Sequence, residues 1–220
     1  MSTLEDQNPS HYNEEYFEWQ SGIGEFGGWA NLTKFEQYVS EDDTVLDFGC
    51  GGGYLLSNIN CAKKIGIEIN PHAAKKAKEF GVEVYDDINK IEDEMIDIII
   101  SNSALEHVHQ PLDVLKSLHQ KLKKGGRIIF TVPCESIHYA YKPNDINRHI
   151  YTWSPMNLGN LFDEAGFTVI ESKPYKHKWP PRADLYGRFL GHFLFNILCG
   201  IYDRVRRYSS QVRLVAQKNQ

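Results

Sequence analysis

Cysteine is sparse and scattered in this chain: Cys50, Cys61, Cys134 and Cys199 form no CxxC pair. That spacing argues against a disulfide framework and a structural zinc site, and predicts a protein of the reducing cytoplasm. Positive charge is not in excess either. The formal net charge is −5, so no basic face for general nucleic-acid binding is predicted, although a local basic pocket is compatible with it. Met1–Asn8 is polar and acidic, which predicts no secretory leader. The longest apolar stretch, near the C-terminus, is interrupted by Arg188, His192 and Asn196, which argues against a membrane span. Internal repeats and low-complexity tracts are missing as well. What remains is 220 residues, 41% hydrophobic and 24% charged, the balance of one folded domain with its own core.

Short β-rich runs alternate with helical patterns from Thr44 onward. Strands are predicted at Thr44–Phe48, Lys64–Glu68, Glu83–Tyr85, Ile96–Ser101, Arg127–Val132, Thr168–Ser172 and Val212–Gln217. Helices are predicted at Pro71–Phe80, Pro111–Leu122 and Pro155–Ala165, with Gly81, Gly125–Gly126 and Gly166 as their stops. Ile96–Ile100 is apolar apart from Asp97, as a strand covered on both faces should be. The alternation predicts an α/β, doubly wound sheet. Residues 1–42 read as an aromatic-rich helical cap, 43–174 as the core, 175–208 as a helical insertion and 209–220 as the last strand and tail of a single domain.

The run Val45-Leu46-Asp47-Phe48-Gly49-Cys50-Gly51-Gly52-Gly53 reads as a buried strand entering a glycine turn that a ligand can approach closely. Dinucleotide sites use a similar turn, but Asp47 would face an incoming pyrophosphate. A carboxylate there suits a ligand bearing an ammonium and a sulfonium. Cys50 in the turn reads as a small packing residue. Glu68, some twenty residues on, offers two acceptor oxygens to ribose hydroxyls. Asp86-Asp87-Ile88 ends the third strand, where a carboxylate and a backbone N–H can meet an adenine.

Taken in order, Asp47-x-Gly49-x-Gly51-x-Gly53, Glu68, Asp87-Ile88 and Asn102…Leu105-Glu106-His107-Val108 resemble the class I S-adenosylmethionine-dependent methyltransferases. Within them the chain is similar to the small-molecule branch with a Glu-His-Val element after strand four. The resemblance covers roughly residues 43–132. It implies a seven-stranded Rossmann-like methyltransferase sheet of order 3-2-1-4-5-7-6 with an antiparallel last strand, and S-adenosyl-L-methionine as cofactor. It implies Gly49 and Gly51, in a loop with Asp47, Cys50 and Gly53, against the methionine part. Glu68 with Ile69 would meet the ribose, Asp86 or Asp87 with Ile88 the adenine, and Asn102 with Ser103 the sulfonium.

On the acceptor side, His107 and His149 are candidate bases, His149 lying in Asp145-Ile146-Asn147-Arg148-His149-Ile150-Tyr151. Arg148 is a candidate to grip or polarise the acceptor. Relatives that methylate catechol-like hydroxyls hold a divalent metal with the Glu-His pair and an earlier Glu; Ser103 occupies that earlier position here, so no metal is expected. Tyr16, Trp29, Tyr141, Arg148, Tyr151 and Arg182 are candidate acceptor contacts. The aromatics Tyr12, Tyr16, Phe17, Trp19, Phe26 and Trp29 could close as a lid around Gly27-Gly28. Tyr186, Phe189, Leu190, Phe193, Leu194, Ile197, Leu198, Ile201 and Tyr202 mark a helical face suited to packing, to an acceptor wall or to a homodimer through a 185–205 helix. Arg204, Arg206 and Arg207 leave attachment to a membrane surface as a lesser alternative.

The expectation is therefore an O-methyltransferase acting on a natural product, sugar or modified peptide. A carboxylate acceptor stands ahead of a hydroxyl because Lys142, Arg148, Lys176, Lys178 and Arg182 flank the expected pocket. Transfer to nitrogen or carbon, or a non-catalytic scaffold, are the alternatives.

Overall fold

The computed structural model describes residues 17–18, 21–143, 145–206 and 211–219. Seven strands form one sheet: β1 (Thr44–Phe48), β2 (Lys63–Ile67), β3 (Glu83–Tyr85), β4 (Ile96–Asn102), β5 (Leu122–Pro133), β6 (Thr168–Tyr175) and β7 (Gln211–Gln217). Their order is β3-β2-β1-β4-β5-β7-β6, as the resemblance implies. The first five run parallel, and β7 lies antiparallel between β5 and β6. The helices are α1 (Gly24–Asn31), α2 (Tyr54–Asn58), α3 (Pro71–Glu79), α4 (Pro111–Lys121), α5 (Pro155–Glu164) and α6 (Ala183–Arg206).

The local chemistry explains these boundaries. Asn70 caps α3 by accepting from the His72 and Ala73 N–H groups, and Pro71 opens it. Ser154 and Asn157 close a reciprocal capping box on α5. Two apolar layers sandwich the sheet. One holds Leu46, Phe48, Ile99, Phe130 and Phe162; the other holds Val45, Leu56, Ile98, Ile100 and Ile129. β4 feeds both layers, the reason its sequence is almost wholly apolar.

Glycine is not what ends α4. Leu122 leaves the helix directly into β5 (φ −68°, ψ 139°), and Gly125, at φ +78°, bends that strand where its N–H donates to Lys218. The pair Gly125–Gly126 therefore belongs to β5. In the insertion, β6 continues to Tyr175 before the chain turns into α6, which breaks at Gly191 (φ 66°, ψ 168°). Among the described residues no helix is long and apolar enough to cross a membrane.

The N-terminal cap has a fixed seat. A Cβ at Gly28 would fall 2.2 Å from the Tyr54 carbonyl oxygen, and one at Gly24 would fall 2.5 Å from the Tyr54 ring. Only glycine lets α1 lie this close to α2. Behind it, Ala30 packs with Phe26, Trp29, Trp179, Ala183, Phe195 and Cys199, joining cap and insertion in one small core.

Candidate active site

The β1–α2 loop is held from below. Gly49, Gly51 and Gly53 adopt φ of +74°, +53° and +76°, and the Gly49 and Cys50 N–H groups donate to the Ile67 carbonyl at 3.0 and 3.1 Å. A Cβ at Gly49 would strike the Ala104 Cβ at 2.5 Å, so this glycine is needed for space as well as for backbone angle. Glu68 accepts from Gly51 N–H through Oε2 (2.9 Å) and from Asn70 N–H through Oε1 (2.7 Å). It thus braces the loop, and each oxygen keeps a second lone pair. Burial pushes the Glu68 carboxyl up, against those backbone donors. Cys50 is buried beside Gly66, where a Cβ would meet its sulfur at 2.4 Å, and burial raises its thiol. It is a packing residue.

Asp47 is 2% exposed, and its Oδ1 has no hydrogen-bond partner among the described residues. Burial, then the nearby Glu68 charge, push its carboxyl well up. An unsatisfied buried acceptor is costly, so this atom calls for a donor or a cation from the cleft it lines.

The carboxyl end of β4 supplies the opposite wall. Asn102 accepts from the Lys34 ammonium at 2.8 Å. Lys34 lies in the turn Leu32–Lys34 and is almost wholly buried, which lowers it to about 7 despite the opposing influence of Cys199 and Glu106. Ser103 sits in the left-handed region at φ +61° with its N–H donating to Thr131 at 2.8 Å. After it, the turn Leu105–His107 buries Glu106 completely. Both Glu106 side-chain oxygens lack hydrogen-bond partners among the described residues, and burial carries its carboxyl to about 8.

The loop beyond β5 closes on this turn, because the Ile150 and Tyr151 N–H groups donate to the Glu106 carbonyl at 2.9 and 3.1 Å. His149 is thereby brought against His107, ring centroids 5.0 Å apart. Its Nδ1 lies 2.7 Å from Glu135 Oε1 and its Nε2 3.9 Å from Glu106 Oε1, while His107 Nε2 lies 4.0 Å from the same oxygen. Glu106, His107 and His149 offer ligand atoms within 4.8 Å of one another. Ser103 in place of an earlier Glu leaves such a group unexpected from the sequence; the fold assembles it by bringing in His149 from another loop.

A cleft of about 310 Å³ runs between these walls. Of the expected residues, Asp47, Gly49, Cys50, Gly51, Asn102, Ser103, His107 and His149 line it. Gly53, Glu68, Ile69, Asp86, Asp87 and Ile88 do not. Asp86 pairs with Lys90 at 2.6 Å, and Asp87 caps the turn Ile88–Lys90 through Asn89 N–H at 2.9 Å; both remain beside the β3 end, outside the cleft. Trp29 packs on Phe195 and His192 instead of facing an acceptor. Tyr141, Arg148, Tyr151 and Arg182 are exposed and absent from the lining. Tyr12, Tyr16, Trp19 and Arg207 lie outside the described residues.

Lys34, Asn31, Glu106, Asn147 and Trp179 are the unanticipated members or supports of the site. A lone Lys among cap residues carries no sequence signal. Glu106 lies within Leu105-Glu106-His107-Val108, but its complete burial is set by the packing around it. No Lys or Arg appears among the described lining residues, so the cationic lining expected from Lys142, Arg148, Lys176, Lys178 and Arg182 is not formed there.

Comparison with known proteins agrees with this architecture. A family model described as a methyltransferase domain matches residues 11–172. An uncharacterized methyltransferase of Schizosaccharomyces pombe is 32% identical over 104 residues, 41% of this chain and 40% of that protein. A ubiquinone biosynthesis O-methyltransferase of Nitrosomonas europaea is 34% identical over 104 residues, 41% of this chain and 43% of its own length. The chain thus spans about two fifths of the length of these relatives. Among solved structures, a chain of the complex between the Haloferax volcanii Trm112 methyltransferase activator and a methyltransferase superposes with TM-score 0.70 at 20% identity, covering 94% of this chain and 98% of that one. A Haemonchus contortus phosphoethanolamine N-methyltransferase 2, solved with S-adenosyl-L-methionine, superposes with TM-score 0.62 at 14% identity over 94% of this chain and 56% of its own. At such identities the likeness is one of fold.

Proposed function

The chain belongs to the methyltransferase-domain family, and from that premise we propose that it transfers the methyl group of S-adenosyl-L-methionine to a hydroxyl oxygen of a small-molecule acceptor. The acceptor class is a natural product, sugar or modified peptide. One observation carries the cofactor reading: the partnerless buried oxygen of Asp47 faces a glycine-walled cleft with no Lys or Arg among its described lining residues. A diphosphate would meet the Asp47 and Glu106 carboxylates there with no Lys or Arg in the described lining to offset them, whereas an ammonium and a sulfonium find complementary charge.

When bound, S-adenosyl-L-methionine supplies an electrophilic methyl on a good leaving group. The chain's own part is to hold and deprotonate. Asp47 accepts from the ligand's ammonium, and Glu68 keeps the loop in place. His149 takes the hydroxyl proton at Nε2, leaving the acceptor oxygen its electron pair for the new bond. Glu135, 2.7 Å from Nδ1, fixes the tautomer and balances the imidazolium. A hydroxyl now stands ahead of a carboxylate, because the basic side chains that favoured a carboxylate are not in the lining.

A second reading rests on Glu106. Its two partnerless oxygens beside His107 and His149 could hold a divalent cation that takes the acceptor oxygen directly. Chelation separates the two: the base reading expects an unchanged rate, the cation reading a loss restored by metal.

The test of the leading reading is calorimetric titration with S-adenosylhomocysteine and, separately, with NADH, followed by mass spectrometry of hydroxyl-bearing candidates incubated with the methyl donor. Binding of the first ligand alone and a product one methyl heavier at oxygen are expected. No affinity for S-adenosylhomocysteine in the folded protein overturns it.

A further inference from the structure

One side of α6 is fully used by the domain: Phe195 and Cys199 are buried with Ala30, Phe26, Trp29 and Trp179. Its other side is bare among the described residues. Phe189, Phe193 and Val205 are 87%, 76% and 74% exposed, and Leu194, Ile197 and Ile201 are about half exposed. At roughly 100° per residue, positions 193, 194, 197, 201 and 205 fall within an arc of about 120°, opposite the arc that holds Phe195, Cys199 and Asp203. Helical periodicity is thus satisfied twice, once toward the core and once toward the outside. An outward apolar stripe of this kind marks a contact surface.

Charge decides what the surface meets. Residues 175–208 hold seven Lys and Arg against two Asp in a chain of net charge −5. One of those aspartates, Asp203, is buried, while Lys176, Arg182, Arg188 and Arg204 are exposed, Arg204 within the arc itself near its C-terminal end. A second copy of the chain would set this basic rim against itself. An anionic lipid surface would not. The helix is not apolar enough to span a bilayer, so its geometry is that of a helix lying in the interface plane.

We propose that the exposed face of α6 docks the protein on an anionic phospholipid surface, with Phe189 and Phe193 as the inserted side chains and Arg188 and Arg204 against the headgroups. The inference is independent of the methyl-transfer chemistry. The packed side of α6 rests on α1, which lines the cleft through Gly24, Gly27 and Gly28.

The experiment is flotation of the full chain with vesicles of phosphatidylcholine alone or mixed with phosphatidylglycerol. Binding to the mixed vesicles only, weakening as salt rises, is expected. Phe189→Glu with Phe193→Glu should reduce binding roughly tenfold or more, and Arg188→Glu with Arg204→Glu by a similar factor at low salt. All four side chains are exposed, so the fold and S-adenosylhomocysteine affinity should be retained, which the same preparations verify. Lack of wild-type binding, equal binding to neutral vesicles, or binding indifferent to the Phe substitutions overturns the proposal. So does a concentration-dependent dimer that those substitutions abolish, since the occupant would then be a second copy.

Discussion

Lys34 reaches across from the N-terminal cap to donate to Asn102 Oδ1 at 2.8 Å, at the carboxyl end of β4. In its ammonium form Lys34 offers donors only, so the contact fixes which way the Asn102 amide points and leaves its NH₂ group for other acceptors. Asn102 lines the cleft, so this part-buried pair reaches the site. Lys34→Met removes the cost of burying an ammonium but leaves Asn102 Oδ1 without its donor. Stability should therefore change little, while S-adenosylhomocysteine affinity falls by about 1–2 kcal/mol. Calorimetry beside thermal unfolding checks both; unaltered affinity in a stable variant would show that Lys34 is only structural.

Glu68 accepts from two backbone N–H groups, Gly51 in the β1–α2 loop and Asn70 beside it. Glu68→Ala should weaken S-adenosylhomocysteine binding by about 1.5–3 kcal/mol, through the loosened loop and through any ribose contact. Titration of the folded variant is the measurement, and an affinity equal to the parent's would refute the role.

Gly28 and Gly159 should respond oppositely to alanine. A Cβ at Gly28 meets the Tyr54 carbonyl at 2.2 Å, a backbone atom that cannot yield, whereas at Gly159 in α5 the nearest atom is Ser172 Cβ at 3.6 Å. Gly28→Ala should destabilise by about 1–3 kcal/mol and impair the cleft. Gly159→Ala should be neutral or stabilising by up to about 1 kcal/mol. Denaturant midpoints of the two variants decide.

His177 is nearly buried, with Nε2 2.9 Å from Asn196 Oδ1, and burial lowers it from 6.5 to about 4, the Lys34 charge adding to the effect. Its native form is neutral, so the unfolded chain binds the extra proton first. This contribution is fully present above pH 6.5 and is lost as pH falls toward about 4, by on the order of 3 kcal/mol. Urea unfolding between those limits should show the decline. His177→Gln should flatten it; an identical slope would assign the acid sensitivity to other groups.

His149→Ala should slow methylation of a hydroxyl acceptor by about 10²–10⁴-fold. Glu135→Gln should cost less and shift the pH–rate profile, since it keeps the side chain's shape but removes the charge beside Nδ1. Chelated enzyme should turn over as fast as untreated enzyme. A loss cured by a divalent metal would transfer the role to the cation reading, and a new methyl on nitrogen or carbon would defeat the oxygen assignment.

Much of this was legible along the chain. The seven strands and the helices α3 to α5 follow from period, proline and capping residues, all local signals, and their edges moved by only a few residues except in β5 and β6. The loop from Asp47 to Gly53 and its companion Glu68 were legible for a similar reason: glycine at fixed spacing states a backbone requirement whatever surrounds it. Which charges enter the cleft was not. Arg148 and Arg182 look like acceptor ligands in the sequence and stand exposed in the fold, while Lys34, 68 residues from Asn102, disappears beneath it. The same limit applies to Glu106, His149 and Glu135, and to α6. Periodicity tells that a face is apolar or that a carboxylate lies in a motif, because those are properties of one segment. What covers the face, or leaves the carboxylate without a partner, depends on where distant segments come to rest, and only the packed structure decides that.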